Sequence, residues 1–404
     1  MNKSNGEVGV LGAETDRVNR LTRAMITEYG EWGSKISVGE VQQGMYDDIL
    51  DFLNFRIETA ESCLILADNR KTSDALGLNR SLLEHYLLFM LICRGTKFFR
   101  LQDLTSLTSG QFKARLAEEQ EQLRIRQSEG EVSYLEVRKY RRATRHLMYV
   151  FEGLKDREDP GFIVPIHYFH FQEFRPDVMR LDNEDYFQYY KHEPETIAAL
   201  QGHRDEAKLS YRHYLSYEAL LQCLELNELV DAATIARIEA HYTFLGQFLH
   251  PTHNAARSLH DRDNYHMGGT SVGIRQPYSE VANLLAALYT CYVVAGLIEE
   301  AAGLIENAPT KYISQAGTED ARALTGSVAD QFPYFWFLFN DPPLYDRFNY
   351  CIHHATDDEL TEWGSYANVP KDRVPFDQHI YNHLKSALGG WSNARCGVYS
   401  PPVQ

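Results

Sequence analysis

Apolar residues recur three or four positions apart over most of the chain, and this spacing predicts an all-α protein. In the stretch 38–68 they mark one buried face of a helix. A second helix is predicted to begin at Ser73, a residue type that favours the N-cap position. It is expected to end after Cys93, because Arg94 followed by Gly95 is typical of a helix C-terminus. We expect these two helices to form an antiparallel hairpin.

The helical pattern divides the chain into three parts. A multi-helix bundle core is predicted over residues 38–307, with an N-terminal arm at 1–37 and an appendage at 308–404. Within the core, residues from about 96 to 200 interrupt the bundle pattern and carry many charges. This segment is therefore predicted to be a charged helical insertion between the bundle helices.

The last hundred residues differ in character from the bundle. A dense run of aromatic residues lies between Gln331 and Phe339, and two prolines follow it at 342–343. Because prolines interrupt helices, this part is expected to be an irregular, aromatic-rich C-terminal region. It either covers one face of the bundle or docks a protein partner.

Composition narrows the class of protein. An apolar content of 44% with 24% charged residues is ordinary for a soluble globular protein. The formal net charge of −16 argues against a surface that coats nucleic acid broadly, although a local basic site stays open. The six cysteines are scattered and form no Cys-x-x-Cys pair, which indicates reduced thiols in a cytoplasmic protein.

One segment is apolar enough to be weighed as a membrane span. Residues 281–298 carry no charge over a length close to the lower limit for crossing a bilayer. However, the segment is rich in alanine, and Glu280, Glu299 and Glu300 flank it instead of basic residues. It is predicted to be the central helix of a soluble bundle, with no membrane contact.

The sequence Arg80-Ser-Leu-Leu-Glu84-His85 is the polar head of an otherwise very apolar helix. Ionisable side chains are rarely buried unless they are paired, so these three residues either form a site or satisfy one another. At about 100° per residue, Glu84 lies about 40° around the helix from Arg80, and His85 lies about 140° away. An Arg80–Glu84 pair is therefore compatible with one straight helix, whereas bringing Arg80 and His85 together needs a distorted turn or a second subunit.

An arginine followed five positions later by a histidine, on a helix of an all-α bundle, resembles the motif of the HEPN superfamily. Members of that superfamily are helical bundles, and many are metal-independent ribonucleases of bacterial toxin–antitoxin and phage-defence systems that pair two motifs across a dimer interface. The resemblance implies that Arg80 orients a phosphate and stabilises its developing charge. It implies that His85 activates the 2′-hydroxyl or protonates the leaving group, with Glu84 orienting both, and that the protein is a homo-oligomer.

A basic patch offers a candidate RNA contact. A long charged helix or helix pair is predicted over residues 109–154, with a break near Gly130. Near its end lie five basic residues within eight positions, and in a helix three of them share one face with a tyrosine nearby to stack on a base. These candidate nucleic-acid-binding residues are Arg138, Lys139, Arg141, Arg142 and Arg145. The alternative is a solvated helix face that pairs with preceding glutamates.

A second constellation suggests a metal site. His250 and His253 flank Pro251 at a predicted helix end, where both imidazoles could converge on a ligand. With Glu84 they would complete a site of two histidines and one carboxylate for a divalent metal. The alternative is a capping histidine beside a surface histidine.

Three functional hypotheses follow from these residues. The leading one is a HEPN-like ribonuclease or effector that needs no cofactor, acts as a dimer and uses Arg80, Glu84 and His85 on RNA. The second is a non-catalytic helical interaction protein that binds a partner through its C-terminal aromatic region. The third is a metal-dependent enzyme that uses Glu84, His250 and His253.

Overall fold

The computed structural model describes residues 4–36, 44–95, 97–130, 134–140, 145–152, 217–250, 255, 259, 278–308 and 317–395. The helices in these ranges are α1 (Ser4–Lys35), α2 (Gly44–Asp68), α3 (Thr72–Arg94), α4 (Ser109–Ser128), α5 (Tyr217–Leu226), α6 (Ala232–Leu249), α7 (Glu280–Glu306), α8 (Glu319–Gln331), α9 (Leu344–His353), α10 (Asp357–Trp363) and α11 (Ile380–Arg395). A 3-10 turn spans Tyr366–Asn368, and the strands are β1 (Lys97–Asp103), β2 (Tyr134–Lys139) and β3 (His146–Glu152). The predicted all-α, multi-helix class is confirmed for these residues.

Helix α7 is the centre of the bundle. It contains the uncharged segment 281–298, and α1, α2, α3 and α8 all pack against it. By length and composition α7 could cross a membrane, but every residue of its most apolar 18-residue window is buried inside the fold. The C-terminal helix α11 packs against it as well, so its hydrophobicity is accounted for by packing inside the bundle.

Helices α2 and α3 are joined by residues 69–71 and pack against each other, as the predicted hairpin requires. Helix α3 begins at Thr72, one residue before the predicted cap, and the Thr72 hydroxyl hydrogen-bonds the side chain of Asn283 on α7. A second buried polar contact joins the same two helices, since the Thr290 hydroxyl donates to the side-chain oxygen of Asn79 over 3.1 Å. These bonds satisfy polar groups that would otherwise be costly to bury.

The contact between α3 and α7 is very close at one point. A Cβ atom placed on Gly296 would lie 2.6 Å from the ring of Tyr86, so only glycine fits at that position of α7. This close approach lets α3 pack directly against the central helix of the bundle.

The predicted long helix at 109–154 is wrong beyond residue 128. Helix α4 begins at Thr108, which forms a capping box with Gln111, and it ends before Gly130. The chain then forms β2 and β3, which complete an antiparallel sheet of order β1-β3-β2. Apolar and polar residues alternate in β2, whereas β3, the central strand, is apolar and buried from Leu147 to Val150. The two faces of β3 pack differently: Leu147 and Tyr149 join Val137 against α4 in a small separate core, and Met148 and Val150 join the main core. The arginines between the two strands favoured a helical interpretation of the segment.

Both ends of the chain are part of the bundle. The segment predicted as an N-terminal arm is almost entirely α1, which packs along α7 and buries Trp32. The aromatic run is also internal, because Phe332, Phe335 and Phe337 lie in the main hydrophobic core. These rings are consequently not available to dock a partner. The large apolar side chains that remain exposed in this region are Phe339, Leu344 and Ile352.

The Asn340 side chain holds this aromatic run in place. Its amide oxygen accepts the Phe337 backbone N–H at 2.6 Å, and its amide nitrogen donates to the Phe335 carbonyl at 2.7 Å. The same nitrogen lies 3.1 Å from the hydroxyl of Tyr292 on α7. From α6, the buried Arg237 guanidinium donates to the Phe337 carbonyl at 3.1 Å. The C-terminal region is therefore hydrogen-bonded to the bundle at several points.

Candidate functional site

The Arg80–His85 motif lies in the only part of α3 that reaches solvent between residues 75 and 92. Six side chains in that interval are partly exposed and none is fully exposed: Leu78, Arg80, Ser81, Glu84, His85 and Leu88. We call Arg80, Ser81, Glu84 and His85 the α3 polar stripe. Because the remaining side chains of this interval are buried, the stripe is the one polar surface that α3 offers to a ligand there.

Arg80 occupies the α6 side of the stripe. Its guanidinium donates to the Tyr242 hydroxyl and lies 4.3 Å from the centre of that ring. Its Nε lies 3.6 Å from a carboxylate oxygen of Glu84, which is an ion pair but too long for a hydrogen bond. The side chain is 15% exposed, against 38% for Glu84. The predicted Arg80–Glu84 pair is thus present, and a tyrosine completes it.

Gly246, one turn beyond Tyr242 on α6, makes room for the guanidinium. A Cβ atom on Gly246 would lie 3.6 Å from Nη1 of Arg80, an ordinary van der Waals contact, so the guanidinium packs directly against this part of α6. Tyr242 is fixed from its other side by Tyr217 of α5, whose ring stacks on it at a centroid distance of 3.4 Å and an angle of 4°. Burial raises the pKa of Tyr242, and hydrogen bonding to Arg80 opposes that rise.

His85 occupies the α2 side of the stripe. Its ring lies 5.6 Å from that of Phe52, centre to centre, and its Nδ1 is buried with no hydrogen-bond partner in the described part of the chain. Burial lowers the pKa of His85 to about 3, and the positive charge of Arg56 contributes to that shift. The imidazole is therefore neutral at physiological pH.

Arg56 of α2 is a partly buried cation without a compensating anion. Its guanidinium lies 4.2 Å from the centre of the Phe55 ring, and among the residues described it forms no ion pair. Burial lowers its pKa, which shows the cost of holding that charge out of water. The stripe is accordingly bordered by two arginines, with Glu84 as the carboxylate paired to one of them.

Arg80 and His85 contact different neighbouring helices, as their 140° separation predicts. Arg80 faces α6 and His85 faces α2, so one chain does not bring the two side chains together. Ser81 and Glu84 lie between them on the exposed surface of α3.

The predicted metal site does not fit the residues that can be placed. His250 is exposed at the C-terminus of α6, whereas His253 lies outside the described residues. The Arg80 guanidinium sits beside Gly246, which is one turn before His250 and one turn after Tyr242. A cation is thus paired with Glu84, the carboxylate of the predicted site, and it would oppose the binding of a metal ion there. No group of three potential metal ligands occurs within the described ranges.

The predicted basic helix face is wrong. Arg138 and Lys139 lie in strand β2, and Arg145 adopts a left-handed backbone conformation with φ of 63° just before β3. Arg138 pairs with Glu136 at 3.0 Å, and Arg145 donates to the Leu107 carbonyl. Arg141 and Arg142 lie outside the described residues.

The cleft beside Arg138 is also more acidic than basic. It has a volume of about 540 Å³, and its charged lining residues are Lys97, Glu136, Arg138, Glu218, Glu225, Glu228 and Glu239. Five carboxylates against two cations make this surface unfavourable for a phosphate backbone.

Two residues of the site, Tyr242 and Arg56, were missed from the sequence. Both lie on other helices, so only the packing of α2 and α6 against α3 brings them to the stripe. One sequence signal could have identified Tyr242: the spacing Tyr242-x-x-x-Gly246 places a small residue one turn from an aromatic ring on the same helix face.

Comparisons of the chain with protein-family models, curated proteins and solved structures find no match. The likeness to HEPN domains thus stays at the level of one motif on one helix.

Proposed function

We propose that the protein is a HEPN-like ribonuclease or effector of a bacterial defence or toxin system, with the α3 polar stripe as its active site. The observation that carries the proposal is a solvent-facing strip of α3 with a neutral, partly buried histidine near Arg56 on one side and with Arg80 on the other. Cations beside an exposed polar surface favour an anionic substrate, and the phosphodiester of RNA is such a group.

The neutral imidazole of His85 can accept a proton but has none to donate as an acid. Its lowered pKa makes it a weak base when the site is empty, and an anionic phosphate bound beside it would raise that pKa and strengthen the base. In RNA cleavage His85 would take the proton of the 2′-hydroxyl as the 2′-oxygen bonds to phosphorus. The bond from phosphorus to the 5′-oxygen then breaks, and that oxygen is protonated by water. Arg80, held by Tyr242 and Glu84, would stabilise the charge that develops on the phosphoryl oxygens.

A dimer explains how Arg80 and His85 could act on one phosphate. The two residues lie on opposite sides of the same strip, so a second copy packed antiparallel over the stripe would set one chain's Arg80 against the other chain's His85. Phe55, which is 58% exposed beside Arg56, supplies apolar surface at the edge of such an interface. The proposal therefore includes a homodimer with two composite sites.

The first test is cleavage of total RNA by the purified protein, with and without EDTA. We expect cleavage that EDTA does not prevent, and a loss of about 100-fold or more for His85→Ala. Arg80→Lys keeps the charge but loses the planar fork, so a smaller loss is expected than for Arg80→Ala. His353→Ala and Arg124→Ala, on exposed surfaces of α9 and α4, are the matched controls and should cleave like wild type.

Intact RNA, or wild-type cleavage by both stripe variants, would overturn the proposal. Thermal melts of every variant separate a loss of activity from a loss of folding. If RNA stays intact, the Arg80–Tyr242–Glu84 cluster keeps only the structural role of joining α3 to α6.

A further inference from the structure

Arg56 differs from other arginines of α1, α2 and α3 in having no carboxylate partner. Nearby arginines on the surface of the bundle are paired: Arg23 with Asp68, Arg70 with Glu280 and Arg94 with Glu300. Among the residues that the structure describes, Arg56 forms no such pair, and burial alone accounts for its lowered pKa. A partly buried charge without a counter-charge costs free energy, so stability does not explain this residue. An anion arriving from solvent would compensate the charge.

The packing of α2 on α3 places Arg56 beside His85. Phe52 of α2 contacts α3 at two rings, with centre-to-centre distances of 5.6 Å to His85 and 6.1 Å to Phe89. Arg56 follows Phe52 by one helical turn and faces the same way. Because the two helices are antiparallel, Arg56 lies opposite the preceding turn of α3, from Ser81 to His85. Its charge accordingly contributes to the low pKa of His85.

The hydrogen-bond donors of Arg56 are directed to solvent. The guanidinium carbon lies 4.2 Å from the centre of the Phe55 ring, and this contact covers a face of the group but leaves its N–H edges free. Of the polar atoms of Arg56 and His85, only Nε of the arginine and Nδ1 of the histidine are buried without a partner in the described ranges. The terminal nitrogens of Arg56 and Nε2 of His85 are therefore the atoms that a ligand can reach.

We propose that Arg56 is a phosphate-binding residue, whose terminal nitrogens hold an anionic oxygen beside Nε2 of His85. The inference rests on the proposed function for its source of ligand, the phosphodiester of RNA. A free phosphate compound has the same chemistry, and the experiment distinguishes the two. In the homodimer, Arg56 of one chain and Arg80 of the second copy would bind the same phosphate from opposite sides.

This arrangement would make the base depend on its substrate. A phosphate bound to Arg56 offsets the positive charge that holds the pKa of His85 down, so the imidazole gains basicity only when the anion is present. The other charged groups of the stripe are directed elsewhere, since Arg80 contacts Tyr242 of α6 and Glu84 is paired with Arg80.

The first arm of the test measures phosphate binding by NMR on the full-length protein with labelled histidine rings. The signal of His85 is identified by its absence in His85→Gln. Inorganic phosphate is titrated at pH 7, with potassium chloride of equal ionic strength as the reference. We expect phosphate to shift the His85 signal saturably and chloride to leave it unchanged.

Three variants assign the binding to Arg56. In Arg56→Gln the dissociation constant for phosphate should rise roughly 10- to 100-fold, the range of a lost hydrogen bond between charged groups. Arg56→Lys keeps the charge without the planar fork and should show a smaller rise, which keeps the test valid if Arg56→Gln folds poorly. Arg20→Gln, at an exposed arginine of α1, is the matched control and should bind like wild type. A His85 signal that phosphate does not move, or equal affinity in wild type and both Arg56 variants, would contradict the proposal.

The second arm measures cleavage of an RNA oligonucleotide and separates the two proposals. If Arg56→Gln cleaves roughly 10-fold more slowly than wild type or worse, while Arg20→Gln is unaffected, the phosphate at Arg56 belongs to RNA. If RNA stays intact but phosphate affinity depends on Arg56, the residue binds a free phosphate compound and the ribonuclease proposal fails. If wild type and Arg56→Gln cleave RNA equally well, Arg56 is not part of the active site and the ribonuclease stands.

Discussion

At the scale of single residues, the site is defined by charges held partly out of water. Arg80 is paired and stacked, so its burial is compensated by Glu84 and Tyr242. Arg56 and His85 lack such partners within the described residues, and the imidazole responds by staying neutral. The residues of the stripe could be predicted from the sequence, because polar and charged side chains are rare in this apolar helix. The protonation state of His85 could not be predicted, since it depends on burial and on Arg56, which the fold brings from α2.

The depressed pKa of His85 predicts a pH dependence of stability. Below the ordinary histidine pKa of 6.5, the unfolded chain binds a proton that the folded chain does not bind until about pH 3. As the pH is lowered below 6.5, the free energy of unfolding should therefore decrease, and His85 contributes at most about 1.4 kcal/mol per pH unit to that decrease. Above pH 6.5 His85 should make no contribution to the pH dependence. Urea unfolding of wild type and His85→Gln at pH 7.5 and pH 5 measures the difference.

His85→Gln should lose less stability between those two pH values than wild type does. Some loss persists in the variant, because burial also lowers the pKa of His241 to about 3. His353→Gln, at an exposed position, is the control and should keep the wild-type dependence. An identical pH dependence in His85→Gln and wild type would show that folding does not lower the pKa of His85.

At the scale of elements, the predictions were correct where the helical spacing of apolar residues runs through a long segment. They were wrong where short strands follow a charged helix. The uncharged stretch of α7 and the apolar face of α3 identify helices because burial on nearly all sides demands it. In the segment 134–152 the arginines favoured a helix, and the short apolar run of β3 does not by itself distinguish a strand from a buried helix. The sheet depends on pairing between strands separated in sequence, which local spacing does not encode.

Gly296 tests the contact between α3 and α7. Alanine normally stabilises a helix by up to about 1 kcal/mol relative to glycine. At this position the added Cβ would overlap the Tyr86 ring, so we expect Gly296→Ala to lower the free energy of unfolding by about 1–3 kcal/mol. Gly30→Ala on α1, where a Cβ meets no atom within 4 Å, should be neutral or stabilising in the same urea titration. Equal stability of the two variants would mean that the helices can separate at this crossing.

At the scale of the whole molecule, the C-terminal region and the bundle share one hydrophobic core. Phe332, Phe335 and Phe337 pack among residues of α6 and α7, and α11 contributes Leu384 and Leu388 to the same core. The sequence predicted an appendage because prolines and turns follow the aromatic run. It could not show which surface the rings cover, since that depends on tertiary contacts with α6 and α7. A region built in this way should unfold together with the bundle.

Asn340→Ala tests that cooperativity. The substitution removes hydrogen bonds to the Phe337 N–H and the Phe335 carbonyl and leaves both groups buried without that partner. We expect a loss of about 3 kcal/mol in the free energy of unfolding, because each unsatisfied buried group costs about 1–3 kcal/mol. Asn307→Ala, which removes an exposed bond at the end of α7, should cost less than about 1 kcal/mol. Hydrogen exchange then decides how far the damage spreads. If one core is shared, protection falls by the same factor in residues 332–340 and in α7; faster exchange in 332–340 alone would show that the C-terminal region opens as an independent unit.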